Sequence, residues 1–152
     1  MNLETRVARL EDEASIRRLK WRFCSYTDQT RVEEWLSLLT EDATISAGLP
    51  HQDADHGHEE LRKRIEGIRD ENRRFMSHFA HNPVIEVDGD EARGHWYFSC
   101  LIVFADETVT WLLGEYDDEY RRVDGRWKIH SVAITIRYRQ EFEDGTWSLE
   151  TK

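Results

Sequence analysis

Apolar positions Leu3, Val7, Leu10, Ala14, Ile16, Leu19, Phe23 and Tyr26 recur three and four residues apart, broken once by a step of two at Ala14 and Ile16. Charged residues fill the gaps, and the spacing predicts one long amphipathic helix that ends at Tyr26-Thr27-Asp28. Thr30 with Glu33 three residues on reads as a capping box for a second helix through Trp35, Leu36, Leu38 and Leu39. Residues 43–46 form a short strand candidate, and the polar, breaker-rich segment 48–57 reads as a loop. A third helix follows from His58 through Leu61, Ile65 and Ile68.

The period then changes from helical to alternating. Segments 75–87, 92–104, 109–123 and 127–142 read as strands. Asp88-Gly89-Asp90 and Val123-Asp124-Gly125-Arg126 supply hairpin turns of the Asp-Gly type, and Ala105-Asp106-Glu107 is the remaining connection. Three helices followed by a four-strand meander predict an α+β fold, with the helices covering the concave face of a strongly curved antiparallel sheet. No repeat, low-complexity tract or linker divides residues 1–152, so a single domain is expected. A chain of this length buries about 68–70% of its unfolded surface.

Alternation also sorts the side chains by face. Trp96, Phe98, Cys100, Ile102 and Phe104 share one side of their strand; Leu112, Gly114 and Tyr116 share one side of the next, and Val132, Ile134, Ile136 and Tyr138 one side of the last. If these rows line the concave face, they enclose a mostly apolar volume suited to a small hydrophobic ligand, with Tyr116 among its few polar tips. The other reading of the same rows is plain core packing. The opposite face carries Leu101, Val103, Trp111 and Leu113, a patch that points to a homo-oligomer, with a trimer ahead of a dimer.

Composition narrows the functional classes. Aromatic residues are frequent (six Trp, five Tyr, six Phe) in a chain that is 34% charged, which suits a dense core or a lined cavity. A net charge of −10 argues against a nucleic-acid partner, because phosphate binding needs a basic surface. Cys24 and Cys100 fit no CxxC spacing and read as buried free thiols in a reducing compartment. No apolar run approaches the ~18 residues of a membrane span and no basic-then-apolar leader opens the chain, so a soluble, cytoplasmic protein without membrane contact is expected.

Two residues carry candidate chemistry. Asp28 stands at a helix C-terminus, where the dipole disfavours an anion, and Thr30 already offers a cap for the next helix. His78 interrupts the apolar run Phe75-Met76-Ser77-His78-Phe79-Ala80, while His81 falls on the opposite face. If the fold joins them, the carboxylate fixes the tautomer of the imidazole and the pair can pull a proton from carbon. The alternatives are a solvated turn aspartate and a strand histidine satisfied by its neighbours. His51, Asp53, Asp55, His56, His58 and Glu59 have metal-ligand types but match no compact metal spacing, so no metal is expected. No phosphate-binding glycine loop or GxSxG motif is present, and no organic cofactor is implied.

These residues sit in a wider pattern. Leu3-Glu4-Thr5-Arg6-Val7-Ala8-Arg9-Leu10-Glu11 opens the chain, and the segment from Leu19 to Asp28 closes the first helix. His78 and His81-Asn82-Pro83 follow, then Gly94-His95-Trp96-Tyr97, Asp117-Asp118-Glu119-Tyr120, Asp124-Gly125-Arg126-Trp127 and Arg137-Tyr138. In these stretches the chain resembles SnoaL-like members of the nuclear-transport-factor-two-like superfamily, cone-shaped α+β barrels. It is most similar to bile-acid dehydratases, then to hexachlorocyclohexane dehydrochlorinase and scytalone dehydratase. The resemblance implies that Asp28 and His78 are the catalytic dyad. It also marks departures: Phe23 and Cys100 stand where the bile-acid enzymes carry a tyrosine and a carboxylate, and Thr27 and Ile102 where scytalone dehydratase has a tyrosine and a histidine. Phe23 joins Trp96, Phe98, Cys100, Ile102, Leu112, Tyr116, Ile134 and Ile136 in the expected substrate-binding set. Lys20 matches a lysine of the bile-acid pattern and on helical spacing reads as a solvated stem.

Loss of the usual acids weighs against simple expulsion of hydroxide, unless Tyr116 or Tyr26 substitutes as donor. Halide leaves without a proton, and a proton shift can use one imidazole as base and then acid. The expectation is a cofactor-independent lyase or isomerase acting on a steroid, terpenoid or polyketide. A non-catalytic binding or scaffold member of the fold is the rival, and a cyclase-like aldol catalyst a third option.

Overall fold

The computed structural model describes residues 2–46, 53–70 and 72–142. Helix α1 (Leu3–Asp28) starts at Asn2, whose side chain accepts the Thr5 N–H at 2.8 Å. Leu3, Val7 and Leu10 stand exposed, so the first turns project beyond the sheet; burial begins at Ile16 and continues through Leu19, Lys20, Phe23, Cys24 and Thr27. The helix ends in a Schellman arrangement. Thr30 takes a left-handed φ of 51°, the Arg31 N–H reaches the Tyr26 carbonyl at 2.9 Å and the Thr30 N–H the Thr27 carbonyl at 3.1 Å.

That ending overturns the expected capping box. Helix α2 (Val32–Ser37) has Arg31 as its N-cap with no side-chain cap, because Thr30 is committed to terminating α1. Glu33 instead pairs with Arg62 of α3 (Gly57–Asp70).

The strands are β1 (Leu39–Ser46), β2 (Asp55–His56), β3 (Arg73–Asp88), β4 (Glu91–Phe104), β5 (Val109–Val123) and β6 (Arg126–Phe142). They form one sheet in the order β2-β1-β6-β5-β4-β3. The meander β3 to β6 is antiparallel as expected, but β1 runs parallel to β6 and carries β2 at its edge, so the sheet has six strands and one parallel pair. Both hairpin turns follow their sequences: Gly89 has φ 60°, and Asp124 and Gly125 have φ 49° and 73°. Register shifts bend the long strands, among them one at Asn82-Pro83, where Asn82 has φ 51°. The curved sheet wraps three helices on one side, an α+β cone.

The interior holds an ion pair that sequence spacing placed in solvent. Lys20 is fully buried and its Nζ lies 2.9 Å from Oδ2 and 3.1 Å from Oδ1 of Asp118, also buried. Tyr120 donates its hydroxyl to Asp118 at 2.6 Å and accepts from Trp96 Nε1 at 3.1 Å. Burial pushes the Asp118 carboxyl up, while Lys20 and the Tyr120 hydroxyl pull it down. Removing one partner of such a pair strands the other charge in the core.

Gly114 is the tightest position of the sheet. A Cβ there would sit 2.1 Å from the Thr135 carbonyl oxygen and 2.7 Å from the Phe98 ring, at a register shift between β5 and β6. Gly114→Ala is therefore expected to lower stability by about 1–3 kcal/mol in urea titration. Unchanged stability would contradict the close approach.

Candidate active site

The end of α1 delivers Asp28 to the middle of β3. Its carboxylate accepts the His78 backbone N–H at 3.1 and 3.0 Å and the His78 ring Nδ1 at 2.6 Å. Both side chains are 17% exposed. A carboxylate only accepts, so Nδ1 carries a proton, and in the neutral ring the lone pair is on Nε2. The backbone bonds fix the carboxylate, and the carboxylate in turn fixes the ring.

His78 faces a cavity of about 450 Å³ between α3 and the inner side of the sheet. Seven of the expected contacts line it: Phe98 and Cys100 and Ile102 from β4, Leu112 and Tyr116 from β5, Ile134 and Ile136 from β6. Asp28 is not part of this wall and sits behind the imidazole. Two expected contacts lie elsewhere. Phe23 is buried against Trp35, ring centroids 5.3 Å apart. Trp96 has the right face but is fully buried beside Tyr120, farther along β4. Alternation assigns a face, not a depth along a curved strand.

The opposite wall was not anticipated. Lys63, Arg64, Gly67 and Ile68 of α3 complete the cavity with Asp55, Arg73 and Met76. The spacing of Leu61, Ile65 and Ile68 carried the signal, since it fixes which side of α3 meets the sheet. Arg64 pairs with Asp55 at 2.6 Å, and Lys63 with Glu59 at 2.9 Å. Asp55 thus serves an ion pair, and among the described residues no three potential metal ligands come together; His51 lies outside them.

Lys20, read as solvated, stands in the core behind the Tyr116 wall of the cavity. Its Nζ lies 3.5 Å from the centroid of the Tyr116 ring, which stacks on Phe98 at 4.6 Å. The signal was present: Lys20 falls between Ile16, Phe23 and Cys24 on the buried stripe, and Asp118 shares the inner face with Tyr116 and Tyr120.

Comparison with known proteins agrees with this architecture. The model of the SnoaL-like domain matches residues 8–133. A candidate scytalone dehydratase of Novosphingobium aromaticivorans is 24% identical, with a TM-score of 0.80 over 90% of this chain and 91% of that one. A hexachlorocyclohexane dehydrochlorinase of Novosphingobium barchaimii is 20% identical, with a TM-score of 0.80 over 90% and 93%. A protein of unknown function from Mycobacterium tuberculosis is 22% identical, with a TM-score of 0.76 over 85% and 73%. No curated protein matches the chain. No helix among the described residues is long and apolar enough to cross a membrane.

The two thiols belong to the same interior. Burial pushes Cys24 up to about 11 and Cys100 up to about 12, from an ordinary value of 9.0. Folding therefore favours the neutral thiols, and their share of stability is full below pH 9.0 and lost as pH rises through about 11 and 12. Native protein at pH 8 is expected to react with dithionitrobenzoate only after denaturant is added. Rapid titration of either thiol in the native state would contradict this burial.

Proposed function

Because the chain belongs to the SnoaL-like domain family, we propose that it is a cofactor-independent lyase or isomerase acting on a small hydrophobic molecule, with His78 as general base and Asp28 as its orienting partner. One observation carries the reading: the 2.6 Å contact between Asp28 and His78 Nδ1, on a ring that lines an apolar cavity. The geometry supports a simple cycle. Nε2 takes a proton from a substrate carbon, and the C–H electron pair forms a double bond as a group leaves the neighbouring carbon. In isomerisation the same proton returns to a different carbon. Asp28 stabilises the imidazolium while it lasts. Dehydration and dehydrohalogenation are the activities for which two of the similar proteins are named, and they motivate this reading here.

The rival is a ligand-binding or scaffold role without turnover. It is favoured by Phe23, which is packed against Trp35, and by Cys100, whose thiol burial keeps neutral: neither brings a strong acid to the cavity. Substituted steroids, terpenoids and polyketide-like ketones with hydroxyl or halide leaving groups form the panel that decides between the two. On a substrate from this panel, His78→Ala is expected to lower turnover by at least about 10²–10⁴-fold without loss of fold or binding. Asp28→Asn keeps the shape but not the charge, and a severe loss is expected there also. Full activity in either variant would contradict the general-base reading.

The outer face of the sheet supports assembly. Phe75, Phe79, Tyr97, Trp111 and Tyr138 are exposed on it, alongside the partly covered Leu101, Val103 and Leu113. Tyr138, expected on the inner row of β6, is turned outward by the register shift that sets it opposite Leu113. We propose that this face is buried in a homo-oligomer, a trimer ahead of a dimer. Light scattering is expected to return a multiple of 18.1 kDa at micromolar concentration, and a monomer would contradict it.

A further inference from the structure

Tyr116 packs its ring into the core, but its hydroxyl has no structural partner there. It is 3% exposed and lines the cavity together with His78. Its hydroxyl makes no hydrogen bond among the described residues, yet it is not one of the sealed, unpartnered polar atoms of the interior. Tyr120, four residues along the same strand, shows what a structural phenol does here: it gives its proton to Asp118 and accepts from Trp96. A desolvated hydroxyl without a protein partner is costly to hold, and the open direction is the cavity.

The ring is held and polarised. Phe98 stacks on it at 4.6 Å, and the Lys20 ammonium stands 3.5 Å from its centroid, itself fixed by Asp118. A cation over the ring draws electron density away from the phenol and strengthens its O–H as a donor. Burial pushes the phenol well above 10, so it keeps its proton and gives a hydrogen bond only. Tyr26 has no such place: the Arg31 guanidinium lies 4.6 Å over its ring and it does not line the cavity.

We propose that Tyr116 is the hydrogen-bond donor to the substrate, and that the substrate is an apolar molecule bearing a carbonyl oxygen, not a halogenated hydrocarbon. The inference rests on the reading of His78 as general base. His78 Nε2 takes the proton from the carbon next to the carbonyl, and the C–H electron pair moves through the new C=C bond onto oxygen. The enolate oxygen accepts from Tyr116, in a site arranged before the substrate arrives. When the electron pair returns, the proton on Nε2 goes either to another carbon of the conjugated system or to a departing hydroxyl, which leaves as water. Both routes restore neutral His78.

The test compares 2-acetylnaphthalene with 2-isopropenylnaphthalene, which differ by an oxygen in place of a methylene group, in fluorescence titrations at pH 8. The wild-type protein is expected to bind the ketone about 3–10-fold more tightly, the worth of one hydrogen bond. Tyr116→Phe is expected to abolish that preference, weakening the ketone alone. The infrared carbonyl stretch of the bound ketone should lie below its value in hexane, and the shift should vanish in Tyr116→Phe. Equal affinities in the wild type, absence of binding by both probes, or a preference that survives Tyr116→Phe would overturn the assignment. If that variant does not fold, the wild-type infrared shift decides alone. His78→Ala is expected to keep the ketone preference. Full turnover in His78→Ala with this preference intact therefore strikes only the general-base reading, and turnover lost in His78→Ala with no ketone preference in the wild type strikes only Tyr116.

Discussion

The proposed active site is organised by one carboxylate held where a helix would rather not have it. An anion in the last turn of a helix costs about 0.3–1 kcal/mol. Asp28 offsets that cost by accepting the backbone N–H and the ring Nδ1–H of His78, which joins α1 to β3. The left-handed Thr30 stops the helix just beyond Asp28 and turns the chain into α2.

A second charge pair works from the opposite direction. Lys20 and Asp118 are wholly sealed, and their hydrogen-bonded neighbours Tyr120 and Trp96 fill the core beyond the cavity. Replacing such a pair by apolar residues of equal volume is often neutral or stabilising, so its retention is no argument from stability. What the pair does locally is hold an ammonium against the Tyr116 ring. The cavity is thus bounded by an imidazole backed by a carboxylate and a phenol backed by a cation.

The sequence made much of this legible, and the failures share a cause. Period changes located α1, α3 and the four long strands, because a 3.6-residue and a 2-residue repeat follow directly from burying one face. The second helix was drawn too long: Leu38 caps α2 and Leu39 opens β1. The Asp-Gly turns and the inner rows from Phe98 to Ile136 followed from local chemistry in the same way. Trp96 was misplaced because periodicity reports direction from the backbone, while depth depends on how far the sheet bends; Phe23, expected there from the family resemblance, packs on Trp35 instead. Lys20 was misread because its partner lies 98 residues away, and a charged side chain on an apolar stripe is interpretable only with that partner in view. The parallel pairing of β1 with β6 likewise joins strands far apart in sequence, and no local pattern carries it.

The tautomer of His78 tests the central claim most directly. In protein labelled with ¹⁵N at histidine, NMR at pH 8 separates a protonated ring nitrogen from one with a free lone pair. The expected result is a His78 ring protonated at Nδ1 and unprotonated at Nε2, with that preference lost in Asp28→Asn. A ring protonated at Nε2 in the wild-type protein would leave no lone pair facing the cavity and would contradict the account.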